Sequence, residues 1–321
     1  MQDTRGKIAR ILHPASCILY LASCILHPAS CILYLASCIM HPPIARRSLK
    51  SRIFWRIVDY TGRALGWFWR EPVHYAPIIE RVTIPIANLP NGLHGLTIAH
   101  LSDFHASRYT HPDSIHRAAQ MALSLRPDLI ALTGDFVHRR LEYAAPCADA
   151  LAELCAPLGV YTILGNHDYT RNHHIVIKEL TRVRLKPMRN ESRRIDHNGA
   201  TFYLIGVDDV RFHHADLLRA LRDVPSDAFK ILLVHEPDYA DYAQQFNIAL
   251  QLSGHSHGGQ IRLPIIGAPL LPSWGRKYDI GLKRTSQGLW VYTTRGIGLG
   301  SPPVRYNCPA EISLLRLESE N

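Results

Sequence analysis

Five short apolar runs recur along the chain, and each ends on polar residues able to hold a cation. Leu96 to Leu101 opens onto Ser102-Asp103-Phe104-His105, and Leu129 to Leu132 onto Thr133-Gly134-Asp135. Tyr161 to Leu164 breaks at Gly165-Asn166-His167-Asp168, and Ile231 to Val234 at His235-Glu236-Pro237. Ile248 to Leu252 runs into Ser253-Gly254-His255-Ser256-His257-Gly258-Gly259. Runs of this length, rich in branched residues, predict strands. Asp103 and His105 are two apart, as are His255 and His257, so in extended chain each pair points to one side. Polar groups at a buried strand end cost free energy unless paired, and a shared cation would pair several at once. A polar turn with an Asx cap is the alternative for any one of these stretches.

Between the runs the spacing predicts helices over about Ser114 to Ser124, Tyr143 to Cys155, His173 to Arg184 and Ala215 to Arg222. Val82 to Ala87 reads as a further strand. Ser192 to Asp196 and Thr201 to Val207, around Asn198-Gly199, read as a hairpin. Strands alternating with helices give an α/β fold, and the hairpin makes the sheet mixed. In such folds, sites lie beyond the carboxyl ends of the strands.

Taken in order, Asp103-x-His105, Gly134-Asp135, Gly165-Asn166-His167-Asp168, the lone His235 and Gly254-His255-x-His257 resemble the calcineurin-like metallophosphoesterase superfamily over roughly residues 80 to 318. That resemblance implies two facing mixed sheets flanked by helices, a four-layer sandwich with metals at one edge. It implies that Asp103, His105 and His257 bind one metal, Asn166, His235 and His255 a second, and that Asp135 bridges them. Two divalent cations would hold the phosphate oxygens while a hydroxide shared between them attacks phosphorus in line. Imidazole, carboxylate and amide ligands without cysteine suit Mn, Fe or Zn, with Mn favoured. His167, not a ligand in the family, is expected to pass a proton or hydrogen bond to the leaving oxygen, with Asp168 orienting its ring.

Other polar features read differently. His100, within an apolar strand, is expected to be a core histidine. His173, His174, His213 and His214 read as surface or cap residues, and Asp208-Asp209 as structural. Gly296-Ile297-Gly298-Leu299-Gly300 lacks the helix of a nucleotide loop and reads as a loop crossing near the site. Arg295 and Arg305 flank it, read either as a clamp on substrate phosphate or as surface arginines. Cys147, Cys155 and Cys308 have no metal spacing and read as small buried residues rather than disulfides.

Composition separates the N-terminal part from the rest. Of the formal net charge of +9, +8 lies in residues 1–70, with ten Lys or Arg against two acids, leaving +1 over the remaining 251 residues. A catalytic region so nearly neutral lacks the footprint of a polynucleotide binder, which argues against nucleic acid. Ala15-Ser16-Cys17-Ile18-Leu19 recurs at Ala22, Ala29 and Ala36 with a period of seven. Residues 1–43, with no formal charge between Arg10 and Arg46, therefore read either as a membrane-spanning stretch or as a translated tandem duplication with a working start at Met40. Residues 44–79 read as a basic amphipathic membrane-associating segment, with Arg46, Arg47, Lys50, Arg52, Arg56 and Arg63 beside Trp55, Trp67 and Trp69. The alternative is a helix docked on its own domain. Residues 80–321 form the expected catalytic domain. The charge distribution would hold it at the cytoplasmic face of a bacterial inner membrane by a peripheral or single N-terminal anchor.

Glu71-Pro72, Asn88-Leu89-Pro90, the Gly254 to Leu263 block, Thr294 to Gly298 and Arg305 to Pro309 are similar to the YaeI/YkuE-type phosphodiesterases, some relatives of which are UDP-2,3-diacylglucosamine pyrophosphatases of lipid A synthesis. The resemblance implies a metal-dependent phosphodiesterase or pyrophosphatase acting on a phosphodiester or lipid-linked diphosphate. UDP-2,3-diacylglucosamine is the leading substrate. A phosphoprotein or phosphomonoester phosphatase on the same metal core is the alternative, and a non-catalytic scaffold would be expected to have lost ligands.

Overall fold

A computed structural model describes residues 76–170 and 172–320. The seven-residue repeat and the basic amphipathic stretch lie outside those residues. Among the described residues no helix is long and apolar enough to cross a membrane.

Among the described residues eleven strands form two mixed sheets. The first holds β1 (Ile78–Ile86), β2 (Thr97–Leu101), β3 (Leu129–Leu132), β4 (Val160–Thr162) and β11 (Glu311–Ser319), ordered β1-β11-β2-β3-β4. The second holds β5 (Glu191–His197), β6 (Ala200–Gly206), β7 (Phe229–Leu233), β8 (Leu250–Ser253), β9 (Gly281–Arg284) and β10 (Trp290–Thr293), ordered β5-β6-β7-β8-β10-β9. The expected first strand is present but begins at Ile78, because its partner β11 pairs with it from Ile78↔Glu311 through Ile86↔Ser319. The predicted hairpin is β5–β6. Asn198 at φ 47° and Gly199 at φ 78° supply the two left-handed residues that a tight two-residue turn requires.

Alternation along each strand decides the layers. Ile98, Leu129, Ala131 and Leu315 of the first sheet meet Phe202, Leu204, Ile231, Leu233 and Leu252 of the second in one buried core. The opposite faces are apolar as well, so the central strands are buried on both sides, as sandwiched strands must be. Ala99, Leu101, Ile130 and Leu132 pack under helices α1 (Pro112–Ser124), α2 (Ala144–Leu151) and α4 (His173–Arg182). Helix α1 starts at Pro112, with His111 accepting the Asp113 N–H, and buries Ile115, Ala118, Ala119 and Ala122 on one stripe. On the other side Ile205, Leu232, Val234 and Val291 pack with α5 (Leu217–Ala220) and α6 (Ala240–Ala243). The result is helices, sheet, sheet, helices. Among the described residues a further α-helix, α3 (Asn166–Tyr169), is a single turn at the sheet edge.

Pairing direction places the site. β2, β3 and β4 are mutually parallel, and so are β7 and β8. Parallel neighbours end on the same side, so the five polar segments predicted from the sequence emerge together. Of the cysteines in the described residues, Cys147 and Cys308 are buried, whereas Cys155 is exposed; all three are free. Cys155 lies beyond the end of α2, which stops at Leu151, and so leaves the core that the longer predicted helix would have kept it in.

Candidate metal centre

Each candidate ligand sits two to four residues past a strand, where the chain leaves the sheet sharply. Asp103, His105, Asp135, His255 and His257 all hold a positive φ, between 45° and 67°. Non-glycine residues seldom adopt that region, and clusters of them mark places where surrounding structure imposes geometry. Two glycines make the crowding possible. A Cβ on Gly165 would collide with Asp135 and the His235 ring, and one on Gly254 with Ser102 and the Asp103 carboxylate.

The side chains converge on one buried spot. Asp103, His105 and His257 present ligand atoms all within 4.8 Å of one another, and so do Asp103, Asp135 and His235. His257 Nε2 lies 3.3 Å from Asp103 Oδ1 and 2.9 Å from His105 Nε2. His105 Nε2 and His235 Nε2 lie 3.3 Å and 3.2 Å from Asp135 Oδ2. Asp135 thus stands between the two groups. His255 is tied in through its backbone N–H, which donates to the Asp103 carboxylate at 3.0 Å, and its ring lies edge-on to that of His235 with centroids 5.1 Å apart.

Backbone acceptors select the ring tautomers. His235 Nδ1–H donates to the Thr133 carbonyl at 2.6 Å, which leaves Nε2 as the lone-pair atom. His255 Nε2–H donates to the Ser273 carbonyl at 2.8 Å, which leaves Nδ1. Holding a ligand imidazole by its other nitrogen is the usual way a metal site fixes ring direction.

The donor set fits divalent cations. Asn166 Oδ1 is buried without a hydrogen-bond partner, an expensive arrangement unless a positive ion supplies one, and His235 Nε2 has only the Asp135 carboxylate oxygen beside it at 3.2 Å. Burial holds His105 at a pKa of about 4 and His255 at about 3, so both rings are neutral and keep lone pairs at neutral pH. Burial also pushes Asp103 up to about 6. Burial alone would lower His235, but the charges of Asp135, Asp103 and Glu236 carry it well above its ordinary value. The two central carboxylates therefore call for positive charge between them.

His167 occupies the half-buried rim of this cluster. Its backbone N–H donates to Asp135 Oδ1 at 2.7 Å, and its ring Nδ1–H donates to the His138 carbonyl at 2.8 Å, leaving Nε2 free. Asp168 does not orient that ring, contrary to the sequence expectation. Its carboxylate instead accepts the backbone N–H groups of Asp135 (3.0 Å), Gly165 (3.0 Å), Phe136 (2.9 Å) and Val137 (3.3 Å). It clamps the two ligand-bearing loops to each other.

Arg295 and Arg305 are neither a phosphate clamp nor surface residues. Arg305 is 5% exposed, and its guanidinium donates to the carbonyls of Arg295, Gly296, Gly298 and Cys308. Arg295 pairs with Glu80 and Glu311. Both brace the glycine loop, which does cross the site as expected: Ile297 N–H donates to Ser102 O at 3.0 Å and Gly298 N–H to Asp103 O at 2.7 Å. His100 is the core histidine expected, with Nε2 2.8 Å from Thr133 Oγ1. Asp208 is structural, accepting from Arg189 Nε at 2.7 Å, and Asp209 accepts the Phe212 N–H at 2.6 Å.

One residue of the centre escaped the sequence reading. His138 Nδ1 lies 3.0 Å from His105 Nδ1, its ring stacks on that of His167 with centroids 5.0 Å apart, and its Nε2 is 3.3 Å from Ser301 Oγ. His105, His138 and His167 form a third close cluster of ring nitrogens. The spacing from Asp135 to His138 is the only sequence signal it leaves.

The chain belongs to the calcineurin-like phosphoesterase family, whose pattern matches residues 96–259 and so contains all seven candidate ligands. It is accordingly a hydrolase of phosphoric esters. Among its relatives is the metallophosphoesterase YkuE of Bacillus subtilis, 33% identical over 243 residues, 74% of this chain and 85% of that one. The phosphodiesterase YaeI of Escherichia coli is 31% identical over 68% of this chain and 81% of its own. UDP-2,3-diacylglucosamine pyrophosphatase LpxG of Chlamydia trachomatis is 29% identical over 311 residues, 78% of this chain and 93% of LpxG.

Proposed function

We propose that this protein is a two-metal phosphodiesterase or pyrophosphatase whose substrate is a lipid-linked diphosphate, with UDP-2,3-diacylglucosamine first among the candidates. The observation that carries the reading is the convergence of two carboxylates and three imidazoles at one sheet edge, with the His255 ring edge-on to that of His235 and a partnerless buried amide oxygen, that of Asn166, in the neighbouring loop. Asp103, His105 and His257 would hold one cation, Asn166, His235 and His255 the other, with Asp135 between them. Bound there, a pair of divalent cations, Mn before Fe or Zn, would draw charge from the phosphoryl oxygens and make water more acidic. The chain's own part is positioning. Asp168 fixes the relative placement of the Asp135 and Asn166 loops, and His167 Nε2 is the atom placed to hold or give a proton at the leaving oxygen.

The lipid substrate rests on similarity to LpxG along nearly the whole of that protein. The basic segment 44–79, which would keep the catalytic domain at the cytoplasmic face of a membrane, suits it. A phosphomonoester or phosphoprotein substrate would use the same centre. The test is hydrolysis of UDP-2,3-diacylglucosamine, a soluble diester and a monoester side by side, with Mn or with chelator. Metal-dependent release of UMP and the lipid monophosphate supports the reading; cleavage of the monoester alone replaces it with the phosphatase.

A further inference from the structure

The glycine loop carries a serine to the rim of the candidate metal centre. A Cβ on Gly300 would stand 3.7 Å from Nε2 and Cε1 of His257, the ring edge that faces Asp103 and His105. The next residue, Ser301, is half-buried, and its Oγ lies 3.3 Å from His138 Nε2. His138 in turn lies flat on the ring of His167, with centroids 5.0 Å apart. Ser301 therefore sits where a candidate ligand ring and the ring pair holding the proton-transfer candidate meet.

One buried side chain sets this position. Gln260 accepts the Gly300 N–H on Oε1 at 2.5 Å and donates from Nε2 to the Pro302 carbonyl at 2.7 Å. The opposite amide orientation would set donor against donor and acceptor against acceptor, so both bonds hold at once only this way. Gln260 thus grips the residues on either side of Ser301. Its own backbone is tied in, with its N–H donating to His257 O at 3.1 Å and its carbonyl accepting from Tyr306 N–H at 2.8 Å. Upstream, Leu299 N–H donates to Thr110 Oγ1 at 3.1 Å. A donor held in place before substrate arrives needs no reordering when it does, which is what makes a fixed hydroxyl useful to a phosphoryl group.

The order of protons along the rings gives the hydroxyl its direction. His105 Nε2 faces Asp135 and His257, so it is Nδ1–H that this ring turns to His138 Nδ1, 3.0 Å away. An imidazole that accepts at Nδ1 bears its proton on Nε2. His138 Nε2–H therefore donates to Ser301, and the serine's own O–H is left to donate elsewhere; among the described residues no acceptor takes it. We propose that Ser301 is a substrate-binding residue, whose hydroxyl donates to a phosphoryl oxygen on the side of Asp103, His105 and His257. This role rests on the two-cation reading above, which has His105 bind through Nε2. Its ligand is the phosphoryl group that every phosphoric ester and free phosphate share.

Binding of inorganic phosphate to the full chain tests it, measured by calorimetry at saturating Mn, beside a Mn titration of the same proteins. Ser301→Ala should weaken phosphate about tenfold, the scale of one hydrogen bond to a charged acceptor, while Mn affinity stays within about twofold. Ser301→Thr keeps a hydroxyl and should recover most of the loss. Unchanged phosphate affinity in Ser301→Ala would overturn the proposal. Weakened Mn binding with phosphate affinity intact at saturating Mn would overturn it too, because Ser301 would then serve only to hold the His138 ring. Phosphate bound by the unaltered chain as tightly in chelator as in Mn would instead strike the two-cation reading, and the role of Ser301 with it.

Discussion

His138 Nδ1 faces His105 Nδ1 at 3.0 Å, with the Nε2 of His105 pointing the other way, toward Asp135 and His257. If His105 ligates through Nε2, its Nδ1 must carry the proton and His138 must accept it. His138 is suited to that, because burial lowers its pKa to about 2 and keeps it neutral. A candidate ligand ring thus has an imidazole where a carboxylate or carbonyl more often stands. The expected result is that His138→Leu weakens metal binding by about 10- to 100-fold. His138→Asn, whose amide oxygen can replace Nδ1, should recover most of it. Calorimetric titration with Mn reads both, and equal affinity in all three proteins would remove the role.

Asp168 gives a second prediction. Removing an acceptor shared by four buried N–H groups should cost at least about 3 kcal/mol, the scale for bonds to a charged group and for donors left unpaired. Asp168→Ala should therefore lower the denaturation midpoint and weaken metal binding together, since it releases the Asp135 and Asn166 loops. Loss of activity with stability and metal affinity intact would instead favour the ring-orienting role.

What could be read from the sequence and what could not follows from these residues. Asp103 with His105, and His255 with His257, announce themselves because strand geometry places residues two apart on one side, and the strands around them are buried on both faces. The hairpin at Asn198-Gly199 is equally local. Asp168 was read as a ring orienter because a carboxylate beside a histidine looks the same whether it serves the ring or the backbone. Arg305 looked available to substrate because nothing in Gly296 to Gly300 says that its carbonyls turn inward. His138 depends on a loop contact, the bridge between Ala106 and Val137, which no local pattern encodes.

His100 predicts a pH dependence of stability. Burial lowers its pKa from 6.5 to about 3, so the folded chain keeps this ring neutral where the unfolded chain protonates it. The unfolded state then binds more protons between those values. Stability from this group is full above about pH 6.5 and falls as pH drops, by up to about 1.4 kcal/mol per unit, until pH nears 3. His100→Gln, able to keep the bond to Thr133, should show a shallower acid loss. Denaturant midpoints from pH 7 to 4, both proteins in chelator, measure it; parallel curves would contradict the assignment.

His167→Asn is expected to keep both metal sites but to lose at least about a hundredfold in kcat, the scale of a proton-transfer group. Metal content and rate measured on the same sample check this. A fully active, metal-loaded variant would remove His167 from the chemistry.

The central claim is that seven residues at the shared sheet edge hold two cations on which hydrolysis depends. The most direct measurement is a titration of Mn into chelator-stripped protein, following bound metal and hydrolysis of a soluble phosphodiester together. The account predicts two equivalents bound, activity rising with occupancy, and, in Asp135→Asn, binding weakened at both sites at once. Undiminished hydrolysis by protein stripped of metal would contradict it.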